Sequence, residues 1–171
     1  MNAHTEAARL ARGTGRVEEA AELSGAIRAK GCETQTKTDS APVTEADTTA
    51  EAHILRGLRA ATPDIPVVAE EEVAAGLQTA VAPTCWLVDP LDGTREFAAG
   101  RDDFTVNIGL VRDGRAFLGA MSLPAYHQTY WGGVGLGAFR RDSRGEQAIH
   151  VRTAPAEGLS VLASRHPADD V

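Results

Sequence analysis

Short apolar segments separated by turn residues run through the second half of the chain, and this pattern limits its possible folds more than any other feature. Four segments have the length and composition of β-strands: 104–112, 115–123, 126–132 and 136–141. Turn-forming residues separate them: Asp113-Gly114, Pro124 and Gly132-Gly133. Because strands joined by such short turns pair antiparallel, we predict a meander.

The first half of the chain has the patterns of helices. Residues 3–30 are rich in Ala, Glu, Arg and Leu, which predicts one or two helical segments. Thr44-Glu45-Ala46-Asp47 fits a capping box with Thr44 as the N-cap, and an apolar stripe at helical spacing follows it. Pro63 ends this second helix, whereas residues 31–43 predict a loop.

Two short apolar strands, 66–69 and 85–88, lie between the helices and the meander. Helices followed by strands indicate an α+β fold, in which helices pack in layers on a largely antiparallel sheet. The apolar segment 159–163 predicts one more strand near the end. We therefore expect one domain over residues 1–157 and the start of a second over 158–171.

Charge and hydropathy exclude some partners. The formal net charge of −7 argues against a nucleic-acid polymer or an anionic membrane surface as the main partner. The sequence has no apolar run of about 18 residues and no signal-peptide core, so we expect no membrane span and a cytoplasmic location. Cys32 and Cys85 show no zinc-site spacing.

The hexapeptide from Asp89 to Thr94, with the sequence DPLDGT, carries the clearest chemical signal. Pro90 favours a type I turn, which would bring Asp89 and Asp92 within about 7 Å of each other. With the Leu91 carbonyl between them, three hard oxygens suit Mg²⁺. Two carboxylates this close repel each other without a cation. The alternative interpretation is an ordinary turn followed by a helix cap.

The end of the same hexapeptide is suited to an anion. Gly93 allows a phosphate to approach the backbone closely. Thr94 then opens a short helical segment, 95–99, whose free N–H groups would point at the anion.

Two carboxylates elsewhere are candidates for the same site. Glu70 follows the strand 66–69, and neighbouring strand ends would place it beside Asp89, where it could hold a second ion or orient a water. The alternative is an acidic first turn of a helix, which the macrodipole favours. Asp47 belongs to the capping box, and the same geometry would let it accept a proton from a threonine hydroxyl.

Together these residues resemble the inositol monophosphatase superfamily. The pattern is an acidic pair at a strand end, here Ala69-Glu70-Glu71, followed by a W-x-[VI]-D-P-[IL]-D-G-T motif, here residues 86–94. Further segments are similar to its bisphosphate-nucleotidase branch: Leu91, Arg95-Glu96-Phe97, Phe104-Thr105-Val106-Asn107-Ile108 and Pro42-Val43-Thr44-x-x-Asp47.

The resemblance implies a layered α/β sandwich of the inositol-monophosphatase/sugar-phosphatase type, with the second domain truncated. It implies a lithium-sensitive phosphomonoesterase with two or three Mg²⁺ ions, or Mn²⁺ in their place. Glu70, Asp89 and the Leu91 carbonyl would hold one ion, and Asp92 would join Asp89 at a second. Family members continue with a Trp-Asp motif that has no counterpart here.

The resemblance also implies roles in catalysis and substrate binding. Glu70 and Thr94 would hold the nucleophilic water, with Thr94 polarised by Asp47. The N–H groups of Gly93 and Thr94 would bind the scissile phosphate. Three further residues are expected near the substrate: Lys37, Ser164 and His166.

The implied partner is a small phosphorylated metabolite such as 3′-phosphoadenosine 5′-phosphate or a similar bisphosphate nucleotide. Three alternatives stay open: an inositol monophosphatase, a sugar bisphosphatase on the same scaffold, and an inactive fragment that acts as a binding module. A homodimer is a further expectation from the resemblance.

Overall fold

The computed structural model describes residues 3–30, 34–36, 42–77, 82–159 and 161. Its helical elements are α1 (Ala3–Lys30), α2 (Glu45–Ala61), α3 (Glu70–Ala74), α4 (Thr94–Ala98) and a 3₁₀ turn at Pro124–Tyr126. Its strands are β1 (Thr34–Thr36), β2 (Pro42–Thr44), β3 (Val67–Ala69), β4 (Thr84–Asp92), β5 (Thr105–Arg112), β6 (Arg115–Leu123), β7 (Gln128–Gly133), β8 (Gly137–Asp142) and β9 (Gly145–Ile149).

A seven-stranded sheet forms the centre of the molecule. Its strands follow one another in chain order from β3 to β9. β3 and β4 pair in parallel, and every later pair is antiparallel. The predicted α+β fold with an antiparallel meander is thus confirmed. β9 was not predicted, because its exposed and largely polar sequence lacks the alternation that marks a half-buried strand.

The two long helices begin and end where local sequence requires. α1 is continuous, so its glycines do not divide it into two segments. At the start of α2, Asp47 Oδ2 accepts the Thr44 N–H at 2.7 Å and Thr44 Oγ1 accepts the Ala46 N–H at 3.2 Å. The predicted capping box is therefore present.

The core lies between α1 and α2 and one face of the sheet. Alternate residues of β5, such as Val106, Ile108 and Leu110, point into it and are at most 3% exposed. Trp86 on β4 is 2% exposed, and its indole N–H donates to Thr62 Oγ1 at 3.0 Å, so its buried polar atom has a partner. On the opposite face Leu87 is 44% exposed.

Two sequence predictions about irregular segments are wrong at the positions described. The expected loop at 31–43 contains a short antiparallel ladder, in which Thr34–Thr36 pairs with Pro42–Thr44. Three residues a strand are too few to show a periodic pattern. In the expected strand at 159–163, Leu159 and Val161 are 80% and 85% exposed and belong to no strand, because no described strand lies beside them to pair. The remaining three residues of that segment lie outside the described part.

The glycine-rich stretch near residue 135 is the turn of a hairpin, so the turn follows Gly132-Gly133, where the sequence predicted it, and these two residues belong to β7. Gly133 of β7 pairs with Gly137 of β8, and Gly135 in the turn has φ +74°. None of the helices described above combines the length and apolar character that a membrane span requires.

Candidate active site

Asp89 and Asp92 lie on the same face of β4 although they are three residues apart. Asp89 pairs with Asn107 of β5 and Asp92 pairs with Thr105, so three steps along β4 match two steps along β5. The extra residue is a β-bulge, and it returns both carboxylates to one face of an otherwise alternating strand. The prediction of a type I turn here is wrong, because the strand continues through Asp92. The bulge, and not a turn, brings Asp89 and Asp92 to the same side.

Glu70 follows the last residue of β3 and lies level with Asp89 of the parallel strand β4. Ala69 of β3 pairs with Val88 of β4, so the next residue of each strand reaches the same edge. The two carboxyl groups are within hydrogen-bonding reach of each other. Burial, together with the nearby charges of Glu70 and Asp92, raises the pKa of Asp89 to about 7.

Thr94 is held against a buried carboxylate from a distant part of the chain. Its Oγ1 lies 3.1 Å from Asp47 Oδ1 and 3.1 Å from the Leu91 carbonyl oxygen. Asp47 is 1% exposed, and its other oxygen accepts the Thr44 hydroxyl at 2.6 Å. Asp47, which completes the capping box of α2, thereby also contacts the first residue of α4.

Gly93 has a backbone requirement that sequence reasoning did not identify. Its φ is +94°, in the left-handed region that disfavours other residues. A Cβ here would lie 2.6 Å from the Asp103 carbonyl oxygen and 3.1 Å from the Phe104 Cα. The loop that packs against it therefore requires a glycine independently of any phosphate.

Glu51 was also missed, although it is 4% exposed. It accepts the Glu71 N–H at 2.7 Å and the Glu72 N–H at 2.9 Å. Burial raises the pKa of Glu51, and the two N–H groups act in the opposite direction. The available sequence signal was its place in α2, four residues after Asp47 and on the same side of the helix.

The donor atoms at this edge of the sheet suit a hard cation. Among the residues described, no group of three or more Asp, Glu, His or Cys side chains is arranged to hold a metal ion. The Glu70 and Asp89 carboxyl groups nevertheless face each other, and carboxylate oxygens are the kind of ligand that Mg²⁺ takes. The raised pKa of Asp89 agrees, since a cation would relieve the repulsion that causes part of it.

Three of the residues proposed from the sequence cannot be placed. Lys37, Ser164 and His166 lie outside the described residues. The structure brings together Asp47, Glu70, Asp89, Leu91, Asp92, Gly93 and Thr94 near the C-terminal end of β4.

A family model matches almost the whole of the sequence. The model of the inositol monophosphatase family matches residues 3–170. The chain belongs to the inositol monophosphatase family. Among curated relatives, the 3′(2′),5′-bisphosphate nucleotidase CysQ of Salmonella typhimurium is 40% identical over 143 residues, which are 84% of this chain and 57% of the relative.

Solved structures of the family share the fold. The Thermotoga maritima IMPase has a TM-score of 0.68 and 28% identity, covering 77% of this chain and 50% of that one. CysQ from Bacteroides thetaiotaomicron has a TM-score of 0.67 and 24% identity, covering 86% and 59%, and this likeness is one of fold. The chain spans about half the length of the curated relatives that it matches.

Proposed function

We propose that this chain provides the water-activating and phosphate-binding part of a metal-dependent phosphomonoesterase. The proposed substrate is 3′-phosphoadenosine 5′-phosphate or a similar bisphosphate nucleotide, and the proposed enzyme is cytoplasmic, Mg²⁺-dependent and sensitive to lithium. Membership of the family and 40% identity to a bisphosphate nucleotidase support the reaction class and this substrate.

One observation carries the proposal. A threonine hydroxyl, Thr94, contacts a buried aspartate, Asp47, across 47 residues of sequence. The Glu70 and Asp89 carboxyl groups meet where β3 ends beside β4. A structural cap alone would explain Asp47 and Thr44, but it would not explain why the other oxygen of Asp47 holds Thr94, which follows the strand that carries Asp89.

Each residue would then have a definite task. Glu70, Asp89 and the Leu91 carbonyl would hold one divalent cation, and Asp92 would assist at a second position. When bound, such cations lower the pKa of a coordinated water from about 15.7 towards neutrality and stabilise negative charge on phosphoryl oxygens.

The protein's own groups orient the reaction. When the Thr94 hydroxyl donates a hydrogen bond to Asp47, its lone pairs are left to accept a hydrogen bond from the attacking water. The Glu70 carboxylate would accept a second hydrogen bond from the same water. The N–H groups of Gly93 and Thr94, at the start of α4, would hold the phosphate for in-line attack.

The test is phosphate release by the native gene product that contains this chain. With Mg²⁺ present, we expect faster turnover of adenosine 3′,5′-bisphosphate than of inositol 1-phosphate or fructose 1,6-bisphosphate. Asp47→Asn should reduce turnover, because the amide cannot replace both carboxylate oxygens as acceptors. Faster turnover of inositol 1-phosphate would instead favour the inositol monophosphatase alternative. Activity unchanged by Asp47→Asn would contradict the assigned site.

A further inference from the structure

Two buried carboxylates lie on one side of α2, and the proposed function uses only the first. Asp47 and Glu51 are four residues apart and 1% and 4% exposed. Residues four apart lie one above the other on a helix. Carboxylates are almost never this buried unless they have partners, so Glu51 requires an explanation of its own.

The partners of Glu51 are the first amides of another helix. It accepts the N–H groups of Glu71 and Glu72, at 2.7 Å and 2.9 Å. The N-cap of α3 is Ala69, which has no side-chain acceptor. Glu51 therefore supplies from α2 the hydrogen bonds that a capping residue normally supplies from the same segment.

A second contact joins the same two helices on the outside. Arg59 donates to Glu72 Oε2 at 2.7 Å, but the Arg59 side chain is 51% exposed. An exposed ion pair contributes little to holding a backbone in place. The buried and doubly bonded Glu51 is therefore the stronger of the two attachments.

The Glu71 N–H belongs to the peptide group that follows Glu70. Because a peptide group is planar, holding that N–H also holds the Glu70 carbonyl and the backbone angle that directs the Glu70 side chain. Glu70 leaves β3 at this point and faces Asp89 across the parallel pair. The orientation of Glu70 thus depends on Glu51, the acceptor that lies 20 residues before Glu71 in the sequence.

We propose that Glu51 is a positioning residue that sets Glu70 against Asp89 by holding the amides of Glu71 and Glu72. The proposal rests on the function proposed above. Helix α2 then places both sides of the site as one rigid element: Asp47 holds Thr94, and one turn later Glu51 holds Glu70.

The test is Glu51→Gln in the native gene product. Glutamine keeps the length and shape of the side chain, but only its oxygen accepts, so one of the two amides loses its partner. We expect amide exchange at Glu71 and Glu72 to become faster. We also expect the Mg²⁺ dissociation constant from calorimetry, and the Mg²⁺ concentration for half-maximal turnover, to rise by about 10-fold. The KM for the nucleotide at saturating Mg²⁺ should stay unchanged.

Two variants on the same helix serve as controls. Arg59→Gln removes the outer contact, and we expect less than about a 2-fold change in Mg²⁺ affinity because the pair is exposed. Ile54→Val weakens core packing without touching α3, so it should lower the Tm and leave Mg²⁺ affinity unchanged.

The outcomes separate this proposal from the proposed function. Faster exchange in Glu51→Gln with wild-type Mg²⁺ affinity would show a purely structural cap and overturn the positioning role. If the wild type released no phosphate but bound Mg²⁺ more tightly than Glu51→Gln, the function would fail and the positioning role would stand. A wild-type protein that bound no Mg²⁺ would overturn both.

Discussion

Thr94 has one hydroxyl proton and two acceptors at equal distance. Asp47 Oδ1 and the Leu91 carbonyl oxygen both lie 3.1 Å from its Oγ1. A cation on the Leu91 carbonyl would occupy that oxygen's lone pairs and leave Asp47 as the better acceptor. The hydroxyl would then donate its hydrogen bond to Asp47, and its own lone pairs would be left to accept one from the attacking water. We therefore expect Thr94 to affect the rate more than the binding of substrate.

The first prediction concerns the Thr94 hydroxyl. Thr94→Ala should lower kcat by about 10²–10³-fold, the usual scale for one preorganised polar group, and change KM little because the backbone N–H remains. Thr94→Ser should recover most of the rate, since it restores the hydroxyl. Steady-state kinetics at saturating Mg²⁺ measures both. An effect confined to KM would mark Thr94 as a substrate-binding residue.

The second prediction concerns Asp89 and pH. Its folded-state pKa of about 7 lies above its ordinary value of 3.8, so folding favours the protonated carboxyl. The stability that this contributes is complete below about pH 4 and is lost as pH rises through about 7. Without metal, the Tm of Asp89→Asn should therefore exceed that of the wild type by more at pH 8 than at pH 5.

Adding Mg²⁺ should reverse this order. The cation binds the charged carboxylate, so it should raise the Tm of the wild type and not that of the variant. Turnover of Asp89→Asn should fall by about 10³-fold, the upper end for losing one preorganised group. Near-normal turnover with unchanged Mg²⁺ dependence would contradict the assignment of Asp89 as a metal ligand.

For single residues, the sequence predicted which side chains belong to the candidate site better than it predicted how the backbone places them. The hexapeptide 89–94 showed which carboxylates belong to the site. The predicted backbone path was wrong, because a bulge and a turn share the same Pro and Gly signals. Glu51 was not predicted, because a single glutamate in a helix is usually exposed. Its two amide partners lie 20 and 21 residues further on, and only tertiary packing brings them together.

Among the elements, α4 depends on α1 for its position. The Arg28 guanidinium of α1 lies over the rings of Phe97 and Phe104, 5.9 Å and 5.3 Å from their centroids. It also forms an ion pair with Asp102 at 3.2 Å and donates to the Gly100 carbonyl. One side chain thereby ties the end of α4 and the following loop to the longest helix.

The third prediction tests this tie. Arg28→Met keeps a long unbranched side chain in place of the apolar stem of arginine, but it loses the charge and the donors. Amide exchange over residues 94–104 should therefore become faster. We expect about 1 kcal/mol of lost stability from a partly buried interaction of this kind. Arg141→Met is the matched control, because Arg141 lies over Trp131 at 5.0 Å and pairs with Glu18 away from α4. Equal exchange at 94–104 in both variants would refute the tie.

At the scale of the whole molecule, α1 and α2 cover one face of the sheet, and among the described residues no helix covers the other, which we call the open face. Leu87 and Met121 lie on the open face and are 44% and 38% exposed. The register places Asp89, Asn107, Met121 and Tyr130 in one row across that face. The candidate site thus lies at one end of a row that also contains apolar residues.

The fourth prediction is that this face makes the 171-residue chain self-associate. Leu87→Thr with Met121→Thr should lower the sedimentation-average mass and the binding of an apolar dye, because threonine keeps strand propensity while removing apolar area. Val134→Thr is the control, since Val134 is 65% exposed but lies in the β7–β8 turn. If the control reduced association as strongly as the double variant, the open face would not be its cause.

The sequence predicted this architecture well because alternation and turn residues are local signals. The alternate burial of β5 and β6 follows directly from their residue order. For β3 and β4, the sequence predicted only that the ends of the two strands are neighbours, and not that the strands are parallel. α3 and a longer connection separate them, so no short turn indicates their relative direction. β9 has no apolar alternation at all, and its strand state comes from its pairing with β8.

The bulge in β4 makes chain length at this point as important as chemistry. Deleting Pro90 or Leu91 would leave two steps between the aspartates, and regular alternation would then keep both on the open face without the bulge. The cost would fall elsewhere. Leu91 is 1% exposed and packs with Ala46, Phe97 and Phe104, so a shortened strand would pull Gly93 and α4 out of step with that cluster. A one-residue deletion here should therefore be poorly tolerated, whereas the exposed turn 143–144 between β8 and β9, at the other side of the sheet, should tolerate insertions.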